Sequence, residues 1–274
     1  MKYFTAFALV ATTLFSSCSN DDTAPIVLPE FMPLTVGSFW TYTTEGTNPQ
    51  TGALLQGTDS LYVASEELIG AHTYTNLDAS TGSTGFMTSL FSENHIRTQN
   101  EKLYLQGTYD LDLSTLGGSA HQIAIDDAIL YDPNAMIDTV LYTNSGSITD
   151  PVSAGGQDVE LIINYTIKSI QKERYESFDV AGQVFVDVLK SHLIISAKID
   201  AVVEIVPGFP STINVAPLQD INTVENYYAD GIGLVQSNND FSIQFNATVA
   251  AQLGIPEVIE GPTNQKIASF LIAE

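Results

Sequence analysis

Few residues in this chain are placed to do chemistry. The single cysteine, Cys18, follows Lys2, the apolar run from Phe4 to Phe15 and the small pair Ser16-Ser17. A lone positive residue, an apolar stretch of about a dozen residues and small residues before a cut site make a secretory signal, whereas a spanning helix needs roughly 20 apolar residues. A cysteine there offers a thiolate as the nucleophile for acylation. The four histidines, His72, His95, His121 and His192, stand far apart, and none belongs to a His-x-x-x-His or Cys-His spacing of the kind that holds zinc. No serine occupies a Gly-x-Ser-x-Gly elbow, and once Cys18 is acylated no thiol nucleophile remains. Gly117-Gly118 and Gly155-Gly156 read as turns, not as phosphate loops. The acid pairs Glu66-Glu67, Asp110 with Asp112, and Asp126-Asp127 are of the type used by glycosidases or calcium sites. A chain with 32 acidic residues produces such pairs by chance, however, and no twelve-residue calcium loop with a central Gly and a terminal Glu is present. The expectation is a protein that is not an enzyme and holds neither metal nor cofactor.

Charge and composition narrow the partners. Against those 32 acids stand nine Lys and Arg, a net charge of -23, and removal of residues 1–17 takes away Lys2 and no acid. Such a field repels phosphate backbones and anionic headgroups, which excludes nucleic acid and electrostatic membrane docking. Lipid on Cys18 must then supply the membrane attachment. With no second cysteine there is no internal disulfide, so an apolar core has to carry stability. Apolar residues at 44% and charged residues at 15% favour folding over disorder.

The elements that must position any site are strands. Leu161, Ile163, Tyr165 and Ile167 alternate with more polar neighbours, as do Ile199, Ala201, Val203 and Ile205, and period two means one face in and one face out. Runs of similar character cover Ser38 to Thr44, Ser60 to Glu66, His72 to Leu77, Phe86 to Phe91, Lys102 to Gln106, Gln122 to Ile125, Thr139 to Thr143, Val184 to Ile195, Val224 to Tyr228, Gly233 to Gln236, Phe241 to Val249 and Ile267 to Ile272. Turn signals fall between them at Glu93-Asn94, Gln99-Asn100, Gly117-Gly118, Gly155-Gly156, Pro207-Gly208 and Asn238-Asn239. Short helices or loops are expected only at Asp110 to Ala120 and Pro217 to Asn222. The predicted fold is all-β: an antiparallel meander curved into an open barrel, a half-barrel or a sandwich so that its edges are hidden. The predicted organisation is a signal peptide at 1–17, a lipidated, proline-containing linker at 18–32 and one β-rich domain at 33–274. Stiffened by Pro25, Pro29 and Pro33, the stretch from Thr23 to Pro33 reaches on the order of 30 Å if extended at about 3.1 Å per residue.

Several segments carry a resemblance. The run Phe15-Ser16-Ser17-Cys18 resembles the bacterial lipobox, with Phe15 where Leu is commoner, and Ser19-Asn20-Asp21-Asp22 resembles the surface-sorting signal of bacteroidete-type lipoproteins. Pro33-Leu34-Thr35-Val36-Gly37-Ser38-Phe39-Trp40-Thr41-Tyr42 is similar to the opening Pro-Leu-x-Val-Gly-x-x-Trp-x-Tyr of such lipoproteins. Val180-Ala181-Gly182-Gln183-Val184-Phe185-Val186-Asp187-Val188-Leu189 resembles their middle hairpin, and Tyr227-Tyr228-Ala229-Asp230-Gly231-Ile232-Gly233-Leu234-Val235 a late strand entry. The resemblance implies a lipoprotein of unassigned activity in the outer membrane, facing the cell surface, with an open β-barrel related at fold level to carriers that hold acyl chains. It transfers no active site. Gly37, Gly231 and Gly233 are expected to supply positive φ or a close backbone approach before strands.

Three classes of function remain. The first is a non-catalytic binding module for an apolar or saccharide ligand, for which Trp40, Tyr42, Phe185 and Tyr228 are the candidate binding residues, although Trp40 reads first as a core aromatic and only as an alternative as a ligand platform. The second is an interaction or structural lipoprotein that contacts another envelope protein. A hydrolase stands third. Because each buried methylene contributes about 0.8 kcal/mol, two or more acyl chains of palmitate type hold a protein firmly to a membrane. Cys18→Ala is therefore expected to move the protein from the membrane to the soluble fraction, and a variant that still sediments with membranes contradicts the anchor.

Overall fold

The computed structural model describes residues 30–49, 51–79, 84–154, 157–206 and 208–274. The signal peptide at 1–17, Cys18 and the linker through residue 29 lie outside the described residues. Among those described, six strands step in chain order around one side: β1 (Phe39–Thr47), β2 (Leu54–Ile69), β3 (His72–Ala79), β4 (His95–Gln99), β5 (Lys102–Asp112) and β6 (Ala120–Tyr131). The other side is β7 (Val140–Ala154), β8 (Gln157–Val180), β9 (Gln183–Val206), β10 (Phe209–Ala229) and β11 (Gly233–Gln244). Short β12 (Val258–Glu260) pairs only with β11, and the last strand, β13 (Thr263–Leu271), lies between β1 and β11 and joins the two halves. Every pairing is antiparallel. The result is a twelve-strand meander rolled into a nearly closed barrel, one of the architectures expected.

The two edges, β6 and β7, meet without a backbone ladder. Side chains close the gap instead. Asn144 Nδ2 donates to the Ala124 carbonyl at 2.9 Å, and the Tyr142 hydroxyl accepts from Asp126 N–H at 3.2 Å. From β8, Ser169 Oγ donates to the Ile129 carbonyl and Gln171 Oε1 accepts from Asp132 N–H at 3.0 Å. At the opposite end Asp150 accepts from Ser119 N–H at 2.7 Å, with His121 Nε2 3.3 Å away. Backbone groups that would otherwise template strand addition are thus occupied at several levels along the seam.

The run from Phe86 to Phe91, expected as a strand, is helix α1 (Phe86–Ser92). Its buried residues Met87, Leu90 and Phe91 follow i, i+3, i+4 spacing, a helical stripe too short to stand out from alternation. The helix is held inside the barrel. Asp59 of β2 accepts from Thr84 N–H and Gly85 N–H at 2.9 and 2.8 Å, and Gln265 of β13 accepts from Met87 N–H at 3.0 Å while donating to Thr88 Oγ1 at 2.5 Å. Two buried polar side chains thereby satisfy the orphan amides that open a helix.

Other expectations shift as well. The run from Phe241 leaves the sheet at Gln244, and helix α2 (Ala247–Leu253) starts under an Asn246 cap whose Oδ1 accepts from Thr248 N–H at 3.0 Å. Asn238-Asn239, read as a turn, lies inside β11, and Pro217 to Asn222 inside β10. Asp110 and Asp112 close β5, and only Ser114 to Leu116 form a 3-10 turn. Phe31 and Met32 are fully buried, so the folded part begins before the expected boundary at residue 33. Phe31 packs edge-on against Tyr131, which tilts against Tyr228, and together they cap one end of the barrel. Replacing Gln265 by Met keeps the volume but strands the Met87 amide and the Thr88 hydroxyl. It is expected to cost about 1–3 kcal/mol, read as a lower denaturant midpoint, and an unchanged midpoint argues against the clamp on α1.

Candidate functional site

The aromatics singled out by type lie in the core. Trp40, Tyr42 and Tyr228 are 0% exposed and Phe185 is 2% exposed. Trp40 Nε1 donates to the Ile232 carbonyl at 2.5 Å and the Tyr42 hydroxyl to the Leu234 carbonyl at 2.9 Å, so the first and last family-like segments are tied together across the barrel interior. Gly37, Gly231 and Gly233 have φ of 98°, 69° and 114°, and a Cβ on Gly233 would lie 2.9 Å from Trp40 Nε1. Burial raises the Tyr42 and Tyr228 phenols well above their ordinary range. None of the four offers an exposed face.

The titratable residues are dispersed into separate pairings. His95 Nδ1 meets Asn76 Oδ1 at 2.5 Å, His121 faces Asp150, and His192 Nε2 lies 3.3 Å from Glu225, which also binds Lys190 at 2.9 Å. Burial lowers the His192 pKa, only partly opposed by Glu225. His72 lies edge-on to Tyr74. Glu66 and Glu67 are exposed, Asp110 and Asp112 are exposed at the end of β5 with Asp112 accepting from Ser114 N–H at 2.8 Å, and Asp126 is 3.4 Å from Gln106. Among the described residues no group of three or more His, Cys, Asp or Glu is arranged to hold a metal ion. On the outer face of β3 to β6, Arg97 grips Asp127 with two bonds of 3.0 and 2.6 Å, lies 3.7 Å over the Tyr104 ring, and shares Asp127 with the Tyr74 hydroxyl at 2.6 Å. Asp127 sits at φ 49° in a bulge of β6, so this cluster fixes strand geometry.

An enclosed concave feature is the barrel mouth opposite the aromatic cap, a cavity of about 160 Å³. Tyr109 and Leu111 of β5, Leu113, Ile199 of β9, Phe241 of β11 and Phe245 form most of its wall, with Ile243 and Ile259 beside them. These residues come from strands far apart in sequence, and the lumen gathers them. The Tyr109 phenol is pushed up to about 12 by burial, while a hydrogen bond with the Asn222 side chain pulls the other way. A larger groove of about 550 Å³ lies between Glu45, Glu225, Asp240 and Asn264, but it is open to solvent. Of the mouth's residues the sequence reading singled out only the acid pair Asp110 and Asp112, and it missed the apolar wall. The one signal available was the apolar alternation Phe241, Ile243, Phe245, read as an ordinary strand.

No family model matches the chain, and no curated protein matches it. Two solved structures do, each over 89% of this chain and 100% of its own. The first, a candidate lipoprotein of Parabacteroides distasonis, has 14% identity and a TM-score of 0.39. The second, a candidate exported protein of Bacteroides fragilis with a YmcC-like fold, has 10% identity and a TM-score of 0.37.

The Arg97 cluster sets a pH dependence. Burial raises the Asp127 pKa, but the bonds from Arg97 and Tyr74 outweigh it and hold the carboxyl below its ordinary value. A carboxylate whose folded pKa is depressed stabilises fully above its unfolded pKa of about 3.9, and that contribution disappears as pH falls through the lower folded value. The stability gap between wild type and Asp127→Asn is therefore expected to be widest near neutrality and to close in acid. A gap that stays constant down to about pH 2 rules this linkage out.

Proposed function

We propose that the protein is a lipid-anchored lipoprotein of the outer membrane, displayed at the cell surface, that acts as a non-catalytic binding module and takes a small apolar group into the mouth of its barrel. The observation that carries this is the mouth cavity, whose wall of Leu111, Leu113, Ile199, Phe241 and Phe245 is mostly apolar, with Asp110, Asp112 and Thr115 as its polar residues beside Tyr109. Of the two ligand classes left open by sequence, the apolar one fits this wall. Saccharides call for polar partners on several sides, whereas the polar residues of this wall, Asp110, Asp112 and Thr115, are outnumbered by apolar ones. Size limits the guest: a cavity of about 150 Å³ lined by Leu, Ile and Phe accepts benzene, so a ring of that size or a short alkyl segment fits here. The lipoprotein address rests on the signal geometry before Cys18.

Fluorobenzene titrated into the protein and followed by fluorine NMR tests the proposal. Binding with a single site is expected, and Ile243→Lys, at a half-buried rim position, is expected to weaken it at least about tenfold, a loss of 1.4 kcal/mol, while leaving the melting transition in place. Absence of fluorobenzene binding, or binding indifferent to Ile243→Lys, refutes the pocket.

A further inference from the structure

At the capped end the hairpin of β8 and β9 runs past the end of β10. The ladder of β9 with β10 stops at Val188 opposite Ala229, whereas β8 and β9 stay paired up to Val180 and Gln183, where Ala181 and Gly182, at φ 54° and 87°, make a tight two-residue turn. One face of this ribbon is packed, with Val180 and Phe185 buried in the core. A sheet with one face on the core alternates apolar-in with polar-out. Here the outward positions of β9 are Val184 and Val186, 64% and 67% exposed, opposite Asp179 and Ser177. The strand is thus apolar on both faces, as a strand covered on both faces is, yet the described residues cover only one. The neighbouring loop between β6 and β7, tied to β8 by Lys172 and Asp138 at 2.5 Å, presents Met136 and Ile137 to solvent.

The position of the ribbon points to what covers it. Glu30 N–H donates to Asp230 at 2.8 Å and Asp230 N–H to the Asp187 carbonyl at 3.1 Å, so the chain enters the domain beside the residue that follows Val186. Residues 19–29, between Cys18 and Glu30, reach at most about 40 Å fully extended, at up to about 3.6 Å per residue. A lipid on Cys18 keeps the ribbon within that distance of a bilayer, where a contact becomes intramolecular and needs little affinity of its own. Such a contact is apolar, because a net charge of -23 gives no attraction to an anionic surface, and of the cations on this part of β8, Arg174 is bound to Asp187 at 2.5 Å and Lys172 to Asp138. Uncharged side chains of this kind settle at the boundary of headgroups and acyl chains. The exposed Leu54 and Leu218 lie at the mouth end, which the tether does not hold to the membrane.

We infer that the outward face of the β8–β9 hairpin, Val184 and Val186 with Met136 and Ile137 on the adjoining loop, is a membrane-contact surface that rests on the bilayer holding the lipid of Cys18. This rests on the lipid anchor proposed above and adds the part of the domain that meets the membrane.

The test uses the whole acylated protein on phosphatidylcholine vesicles that contain a lipid spin-labelled near its headgroup. Acylation leaves no free thiol, so Ser177→Cys, opposite Val186, and Leu218→Cys, at the mouth end, each carry a fluorophore at one place. Quenching is expected to be several-fold stronger at position 177 than at 218, and to fall to the level of 218 when Val184→Asp and Val186→Asp are combined. Both valines are mostly exposed, so the melting temperature of the double variant is expected to hold. Equal quenching at the two positions overturns the inference whether or not the variant folds. Quenching at 177 that survives the double substitution also overturns it, because the tether alone then accounts for the proximity. Emission at 177 that shifts when the protein is concentrated without vesicles assigns the face to a second copy and overturns it as well. Intact mass and vesicle flotation read the anchor separately. An acylated chain that floats without selective quenching loses only the contact surface, and a chain with no acyl group on Cys18 loses the anchor and the surface together.

Discussion

Eight strands close a barrel that their own side chains can fill, and each further strand widens the lumen. Twelve leave a void that must be filled from within or kept as a cavity. This chain does both. Helix α1 is folded into the lumen by Asp59 and Gln265, and Phe31 and Met32 enter from one end to pack with Tyr131 and Tyr228. What remains unfilled is the opposite mouth. The candidate site is the residue of a packing problem that the fold solves at one end and leaves open at the other.

The same geometry explains the seam. Rolling the sheet brings β6 and β7 together, yet they are joined by a loop that does not set them in ladder register. Tyr142, Asn144, Ser169, Gln171 and Asp150 substitute for missing backbone partners. Several of these residues sit in sequence as unremarkable polar positions of alternating strands. Their role appears only once two edges distant along the sheet path become neighbours in space.

Legibility follows the range of the interaction. Period-two alternation is local, and the long strands β8 and β9 stand where Leu161 to Ile167 and Val184 to Ile205 placed them. The glycines at 37, 231 and 233 are local too, since positive φ is a property of one residue. Helix α1 was illegible because seven residues that are buried on several sides show no clean period, and its partners Asp59 and Gln265 are far away in sequence. Asn238-Asn239 looked like a turn because amides usually mark one, but in β11 Asn239 is buried and Asn238 Oδ1 accepts from the Asn264 and Gln236 side chains. Phe241, Ile199 and Leu113 gave no sign of lining one cavity, since nothing local relates them.

The two ends of the barrel are therefore not equivalent, and the difference bears on orientation. Glu30 enters at the capped end, where its carbonyl accepts from Gly231 N–H at 3.0 Å and its own N–H donates to Asp230 at 2.8 Å. Strand β1 starts at this end, whereas β5 and β11, whose final residues border the mouth, finish at the other. Any tether acting through the residues before Glu30 must pull on the cap. It leaves the mouth at the far end of strands whose rise of about 3.3 Å per residue carries it tens of ångströms away. On the proposed function, a guest reaches the cavity from the side facing away from the point of attachment, and the cap, closed by three aromatic rings, separates the cavity from the tether.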